Sequence, residues 1–194
     1  MRTLMNQRFG RAAAWAALLI LFFLPPASAR EPTAPAVSPN DAGTVMLLKD
    51  GEYLPALLAA IDGARVEIVL SAFFFRTTDE GDRLPDLVLR ALGAAAGRGV
   101  AVTVILERGP EGDTVSLDNA VTAQRLRSGG IRVCPDDPQR TTHAKIVVID
   151  RRLLFVGSHN LTQSALKHNR EVSVWIDSPA LAGELLHYLR GLCP

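Results

Sequence analysis

From position 45 onward, short runs of apolar β-formers alternate with amphipathic stretches of helical period, and that alternation limits the fold more than any other feature of the chain. VMLL (45–48) reads as a short strand, LPALLAAID (54–62) as a helix and VEIVLSAFFF (66–75) as a buried strand. LPDLVLRALGAAAGRG (84–99) reads as a helix ending on glycine, followed by the strand VAVTVIL (100–106). A helix over 116–130 follows, with Ser116 as its expected cap, and then the short strand IRVC (131–134). Past 140 the pattern becomes a hairpin, KIVVID and LLFVG about an Arg-Arg turn, then a short helix LTQSALKH, the strand EVSVWID (171–177) and a last helix from Pro179. Such a series specifies an α/β fold, a mixed β-sheet flanked by helices in one domain.

The 194 residues, 48% hydrophobic and 21% charged, supply a core for one globular domain, but not all of the chain belongs to it. Arg2, Arg8 and Arg11 precede an apolar run of 13 residues (12–24), which Pro25-Pro26 ends ahead of Ala27-Ser28-Ala29. This is the pattern of a cleavable export signal over 1–29, cut after Ala29; the apolar run is shorter than the ~20 residues of a bilayer span, which disfavours the alternative, an uncleaved anchor. Residues 30–43, with prolines at 32, 35 and 39, read as a flexible linker, leaving 44–194 as one folded domain. A periplasmic or secreted location is expected.

Cleavage removes three basic residues and no acids, so 18 basic residues face 20 acidic ones, a formal charge of −2. Proteins that hold polyanions without specificity are usually basic overall, so any contact with nucleic acid or anionic lipid has to be local. The two cysteines, Cys134 and Cys193, would meet an oxidising compartment, where a disulfide between them is expected; two free thiols or a bridge between subunits are the alternatives.

The chemistry is concentrated in THAKIVVIDRRLLFVGSHN (142–160). Side chains alternate along a strand, so His143 and Lys145 project from one face and place an imidazole beside an ammonium. A lysine among buried β-formers needs an anion, either a protein carboxylate or a ligand phosphate. Asp150, Gly157, Ser158 and Asn160 follow, giving H-x-K-x4-D-x6-G-S-x-N, and Asn160 also begins a capping-box-like N-L-T-Q ahead of the short helix, whose free amides would favour an anion.

Together these residues resemble the HKD signature of the phospholipase D superfamily. The resemblance extends through IVLSAFFF, AAAGRGVAVTVI and SGGIRVC to Glu171 in NREVSVWID, and the length is that of the small single-motif secreted bacterial members of the endonuclease type. Phe73-Phe74 stands where many relatives carry a tyrosine. The resemblance implies a phospholipase D-like α-β-α sandwich and a phosphodiesterase working through a phosphohistidine. It casts His143 as nucleophile, Lys145, Ser158 and Asn160 as phosphate-binding groups, and Glu171 as the acid that fixes the His143 ring from its other nitrogen. Asp150 and Gly157 would be structural members of the motif.

The family uses a second HKD histidine as the acid for the leaving oxygen, and this chain has no second H-x-K. His159 has the opposite strand parity and reads as a packing or rim residue; His168 and His187 lack the motif. A homodimer with a shared active site is the economical solution. A metal centre on His143, His159 and Glu171 lacks the tight spacing of metal ligands, so no metal or other cofactor is expected. The expected substrate is nucleic acid; the alternatives are phospholipid headgroups, phosphatidylcholine or cardiolipin, and a catalytically silent binding domain.

Overall fold

The computed structural model describes residues 43–193 apart from positions 111, 136 and 138; the expected leader and nearly all of the expected linker lie outside the described residues. Seven strands form one mixed sheet: β1 (Thr44–Lys49), β2 (Glu67–Ala72), β3 (Ala101–Leu106), β4 (Arg132–Pro135), β5 (Lys145–Ile149), β6 (Leu153–Gly157) and β7 (Val172–Asp177). Their order in the sheet is β1-β7-β6-β5-β2-β3-β4. The helices are α1 (Tyr53–Gly63), α2 (Leu84–Gly97), α3 (Thr114–Ser128), α4 (Gln163–Lys167) and α5 (Pro179–Gly191).

β2, β3 and β4 run parallel because α2 and α3 provide the crossovers between them. From β5 to β7 the chain runs antiparallel, with β5 and β6 joined by the tight Asp150–Arg152 turn, and β1 closes the β7 edge antiparallel.

Alternation along the strands builds two cores. Ile68, Leu70, Val104, Val147, Ile149 and Phe155 face one way, against Leu57, Ile61, Val88, Leu92 and Leu126 of α1, α2 and α3. Val69, Ile105, Ile146, Val148 and Leu154 face the other way, against Ala182, Leu186 and Leu189 of α5. β5 is therefore apolar at every position from 146 to 149 because it is covered on both faces. Cys134 of β4 and Cys193, just past α5, are joined in a disulfide with their Cα atoms 5.5 Å apart, which fastens the chain terminus to the sheet edge.

Three local expectations need correction. The strand expected over 66–75 ends at Ala72, because two side chains of α3 capture the backbone that follows. Asn119 accepts from Phe75 N and donates to the Phe73 carbonyl, both at 2.9 Å, while Thr122 donates to the Phe75 carbonyl at 2.6 Å. The cap of α3 is Asp113 and not Ser116: the Asp113 carboxylate accepts from Ser116 N, and the Ser116 hydroxyl accepts from Gly109 N. α4 is one short turn capped by Thr162, whose hydroxyl accepts from Ala165 N, so Asn160 is not its cap and the helix offers no extended row of free amides.

Candidate active site

The register brings five strand ends to one edge of the sheet. Ala72 pairs with Lys145, Ile146 with Val156, Gly157 with Ser173, and Val172 with Lys49. The end of β2, the start of β5, the end of β6, the start of β7 and the end of β1 thus line one edge, and the HKD residues emerge there.

His143 lies two residues before β5 and is exposed; Lys145 is the first residue of the strand and half-buried. The Lys145 Nζ sits 3.2 Å from His143 Nδ1 and 3.5 Å from Nε2, and donates to the His143 carbonyl at 2.8 Å. Phe73, just past β2, underlies both: its ring centroid is 4.3 Å from that of His143 and 4.9 Å from the Lys145 Nζ. Phe73 is therefore a cation–π platform for Lys145 and a ring contact for His143. Burial pushes the Lys145 ammonium below its ordinary pKa, and the charge of Glu171 opposes this by raising it.

Ser158 and Glu171 form the other wall. The Ser158 hydroxyl donates to Glu171 Oε2 and accepts from Val172 N, while Asn169 Nδ2 donates to Glu171 Oε1 at 3.1 Å. The expected bond from Glu171 to the His143 ring is not formed; both carboxylate oxygens are occupied by Ser158 and Asn169, and Glu171 reaches the dyad through its field on Lys145. Asn160 Oδ1 is buried without a hydrogen-bond partner among the described residues, an acceptor that only a ligand's N–H or O–H can satisfy, while its amide N–H can donate to a phosphate oxygen.

Two other motif residues are structural. Asp150, at the β5–β6 turn, accepts from Arg65 N, Val66 N and Glu67 N at 2.7–3.1 Å and so ties the hairpin to the start of β2, at the opposite edge from His143. Gly157 faces Ser173 so closely that a Cβ would collide with its hydroxyl and Cα. That hydroxyl lies 2.7 Å from His159 Nδ1, and His159 Nε2 lies 3.0 Å from the Asp50 carbonyl. With its ring stacked on Tyr53 and both nitrogens engaged, His159 is the packing residue that its parity suggests, closed to metal ligation or proton transfer.

Asp50 is a member of this framework that carries no motif signal. Its N–H donates to the Glu171 carbonyl, its Oδ1 accepts from Glu171 N, and Arg170 pairs with its Oδ2 at 3.2 Å. The donation from Glu171 N holds the Asp50 carboxyl below its ordinary range.

A family model described as "Cardiolipin synthase, PLD-like domain" matches residues 57–192. Cardiolipin synthase A of Proteus mirabilis is 30% identical over 130 residues, 67% of this chain and 25% of that protein. Cardiolipin synthase A of Serratia proteamaculans is 27% identical over 148 residues, 73% of this chain and 29% of that protein. The chain spans less than a third of these curated relatives. Among solved structures, Nuc from Salmonella typhimurium, a phospholipase D family member, superposes with a TM-score of 0.66 at 26% identity, covering 77% of this chain and 93% of Nuc. NucT from Helicobacter pylori shares the fold with a TM-score of 0.60 at 20% identity, covering 95% of that chain. The mixed seven-stranded sheet, the H-x-K pair at its edge and the family match over 57–192 together establish that the chain belongs to the phospholipase D superfamily, in the PLD-like domain family.

Proposed function

We propose that the protein is an exported phosphodiesterase, periplasmic or secreted, that hydrolyses nucleic acid as an endonuclease through a phosphohistidine at His143, its site completed by a second copy of the chain. A ring nitrogen of His143 attacks phosphorus in line as the P–O bond to the leaving group breaks. The leaving oxygen takes a proton from the partner copy's histidine, and water then cleaves the N–P bond and restores the imidazole. Lys145 and the Asn160 amide N–H offset the charge on the nonbridging oxygens, Ser158 joins them when its hydroxyl turns from Glu171 to the phosphate, and Glu171 favours the charged form of Lys145. No metal is required for these steps, because the charge stabilisation comes from side chains.

The observation that carries this reading is one of architecture. The domain, with one H-x-K and an exposed His143, covers 93% of Nuc and 25% of the Proteus cardiolipin synthase, and this likeness in extent to Nuc supports the single-motif nuclease reading. The closed hydrogen bonding of His159 supports the dimer, since it leaves that histidine no proton to deliver.

A second reading, phospholipase D action on phosphatidylcholine or cardiolipin, draws support from the names of the curated relatives and from the exposed apolar residues Leu47 and Val172 towards the site end of β1 and β7. Purified protein assayed with plasmid DNA, RNA and phosphatidylcholine or cardiolipin vesicles, with and without EDTA, separates them. Endonucleolytic cleavage that persists in EDTA is expected; headgroup release without nucleic-acid cleavage overturns the nuclease reading, and loss on chelation with rescue by zinc overturns the metal-free mechanism.

A further inference from the structure

We infer that the substrate of this site is a polynucleotide held over several phosphates by a basic groove that runs from His143 along Arg140 and Arg108 to Arg127; the inference rests on the phosphodiesterase reading above. Two cavities meet at Arg108. One, of about 530 Å³, is lined by His143, Arg140, Arg108 and Tyr188. The other, of about 710 Å³, continues over the start of α3 and is lined by Arg108 and Arg127.

The placement of charge singles this groove out. Arg76, Arg83, Arg98, Arg125, Arg151, Arg152, Arg170 and Arg190 each lie within 4.0 Å of a carboxylate, whereas Arg108, Arg127 and Arg140 have no carboxylate partner among the described residues; Arg65 and Arg90 also have none, but they line neither cavity. Among the described residues, Arg127 donates to the Val133 carbonyl, at 3.2 Å. Of the acidic groups in the walls, Glu107 is buried with its Oε2 held by Thr142 N at 2.6 Å, and Asp137 accepts from Gln139 N. A chain whose predicted mature charge is −2 thus gathers, beside its nucleophile, guanidinium groups with no carboxylate partner among the described residues.

An unpaired guanidinium is a phosphate ligand, and three in a row reaching away from His143 exceed the one phosphate of a phosphatidylcholine headgroup. Tyr188, 51% exposed in the same wall, offers a ring on which a base can stack. Together they fit a polyanion of repeating phosphates and bases, with the scissile phosphate at His143 and its neighbours on the arginines.

The test measures binding of a fluorescein-labelled single-stranded oligonucleotide to purified wild-type protein, Arg108→Ala/Arg140→Ala, Arg127→Ala and, as a control outside the groove, Arg190→Ala, across a salt series. The slope of log K against log salt should become shallower by about 0.7 for each groove arginine removed, with Kd at low salt rising about tenfold in the double variant, and Arg190→Ala should match wild type. KM for a long polynucleotide should rise more than KM for bis(p-nitrophenyl) phosphate, which carries one phosphate. Slopes and Kd values within twofold of wild type overturn the groove, as does a loss confined to cardiolipin vesicles, which would make it a membrane contact. If wild type hydrolyses neither the polynucleotide nor the small diester while the slopes still fall, the groove stands and the phosphodiesterase reading falls.

Discussion

Asp50 and Glu171 hold each other through two hydrogen bonds of 2.9 Å, one from each backbone N–H, across 121 residues of sequence. The clamp fixes the start of β7 against the turn that follows β1, and so fixes the carboxylate that carries Ser158. Asp50 sits at φ 48°, in the left-handed region that Asp and Asn tolerate better than most residues. Asp50→Ala should therefore loosen Glu171 and reduce kcat on the order of tenfold, with Asp50→Asn recovering most of it; steady-state kinetics of the two variants checks this.

The same clamp sets an acid limit. Folding lowers the Asp50 carboxyl from 3.8, so its contribution is present above that unfolded value and is lost as the pH falls through the lower folded one. Asp177, lowered by its paired Arg152, behaves in the same way. Melting curves between about pH 2 and pH 6 should show the wild type losing stability on acidification more steeply than Asp50→Asn, which starts lower and changes less. Parallel curves would show that Asp50 is not a linked carboxylate.

Gly157→Ala should destabilise the fold by about 1–3 kcal/mol, because its Cβ would displace Ser173 and with it the acceptor or donor at His159 Nδ1. Chemical denaturation measures the loss, and a Ser173→Gly change in the same chain should return part of it by clearing the space.

The parts of this structure that were legible in the sequence are those with local causes. The hairpin of β5 and β6 was readable from two apolar runs about Arg151-Arg152, and the H-x-K pair from strand parity carried two residues ahead of the strand. What escaped depends on distant partners. Phe73–Phe75 are β-formers by composition, yet Asn119 and Thr122, more than 40 positions away, take their backbone groups and end β2 early. Glu171 was expected at the His143 ring, but Ser158 and Asn169 claim it, and nothing local in Lys49-Asp50-Gly51 announces the Asp50 clamp. Asp113 and Ser116 are both good caps, and only the Gly109 contact decides between them.

The proposed dimer predicts coupled titration. One histidine of each shared site must be neutral and the other protonated, so the pH–rate profile should be bell-shaped, with both limbs belonging to the pair. Excess His143→Ala chains mixed under subunit exchange should poison wild-type activity. Full activity from a monomer, by light scattering at assay concentration, would contradict the shared site and require an acid within one chain.

The central claim is that His143 becomes covalently phosphorylated while Lys145, 3.2 Å away, stabilises the transferring group. Lys145→Ala should accordingly lower turnover by about 10² or more, and His143→Ala should abolish it. The most direct measurement is to quench turnover in base, which preserves an N–P bond, and to locate the added mass by peptide mass spectrometry. The account predicts an adduct on His143 joined through an N–P bond and carrying the remaining, still esterified part of the substrate, which forms and decays at rates compatible with kcat and is missing from His143→Ala. Full turnover by His143→Ala, or an adduct on another residue, would contradict it.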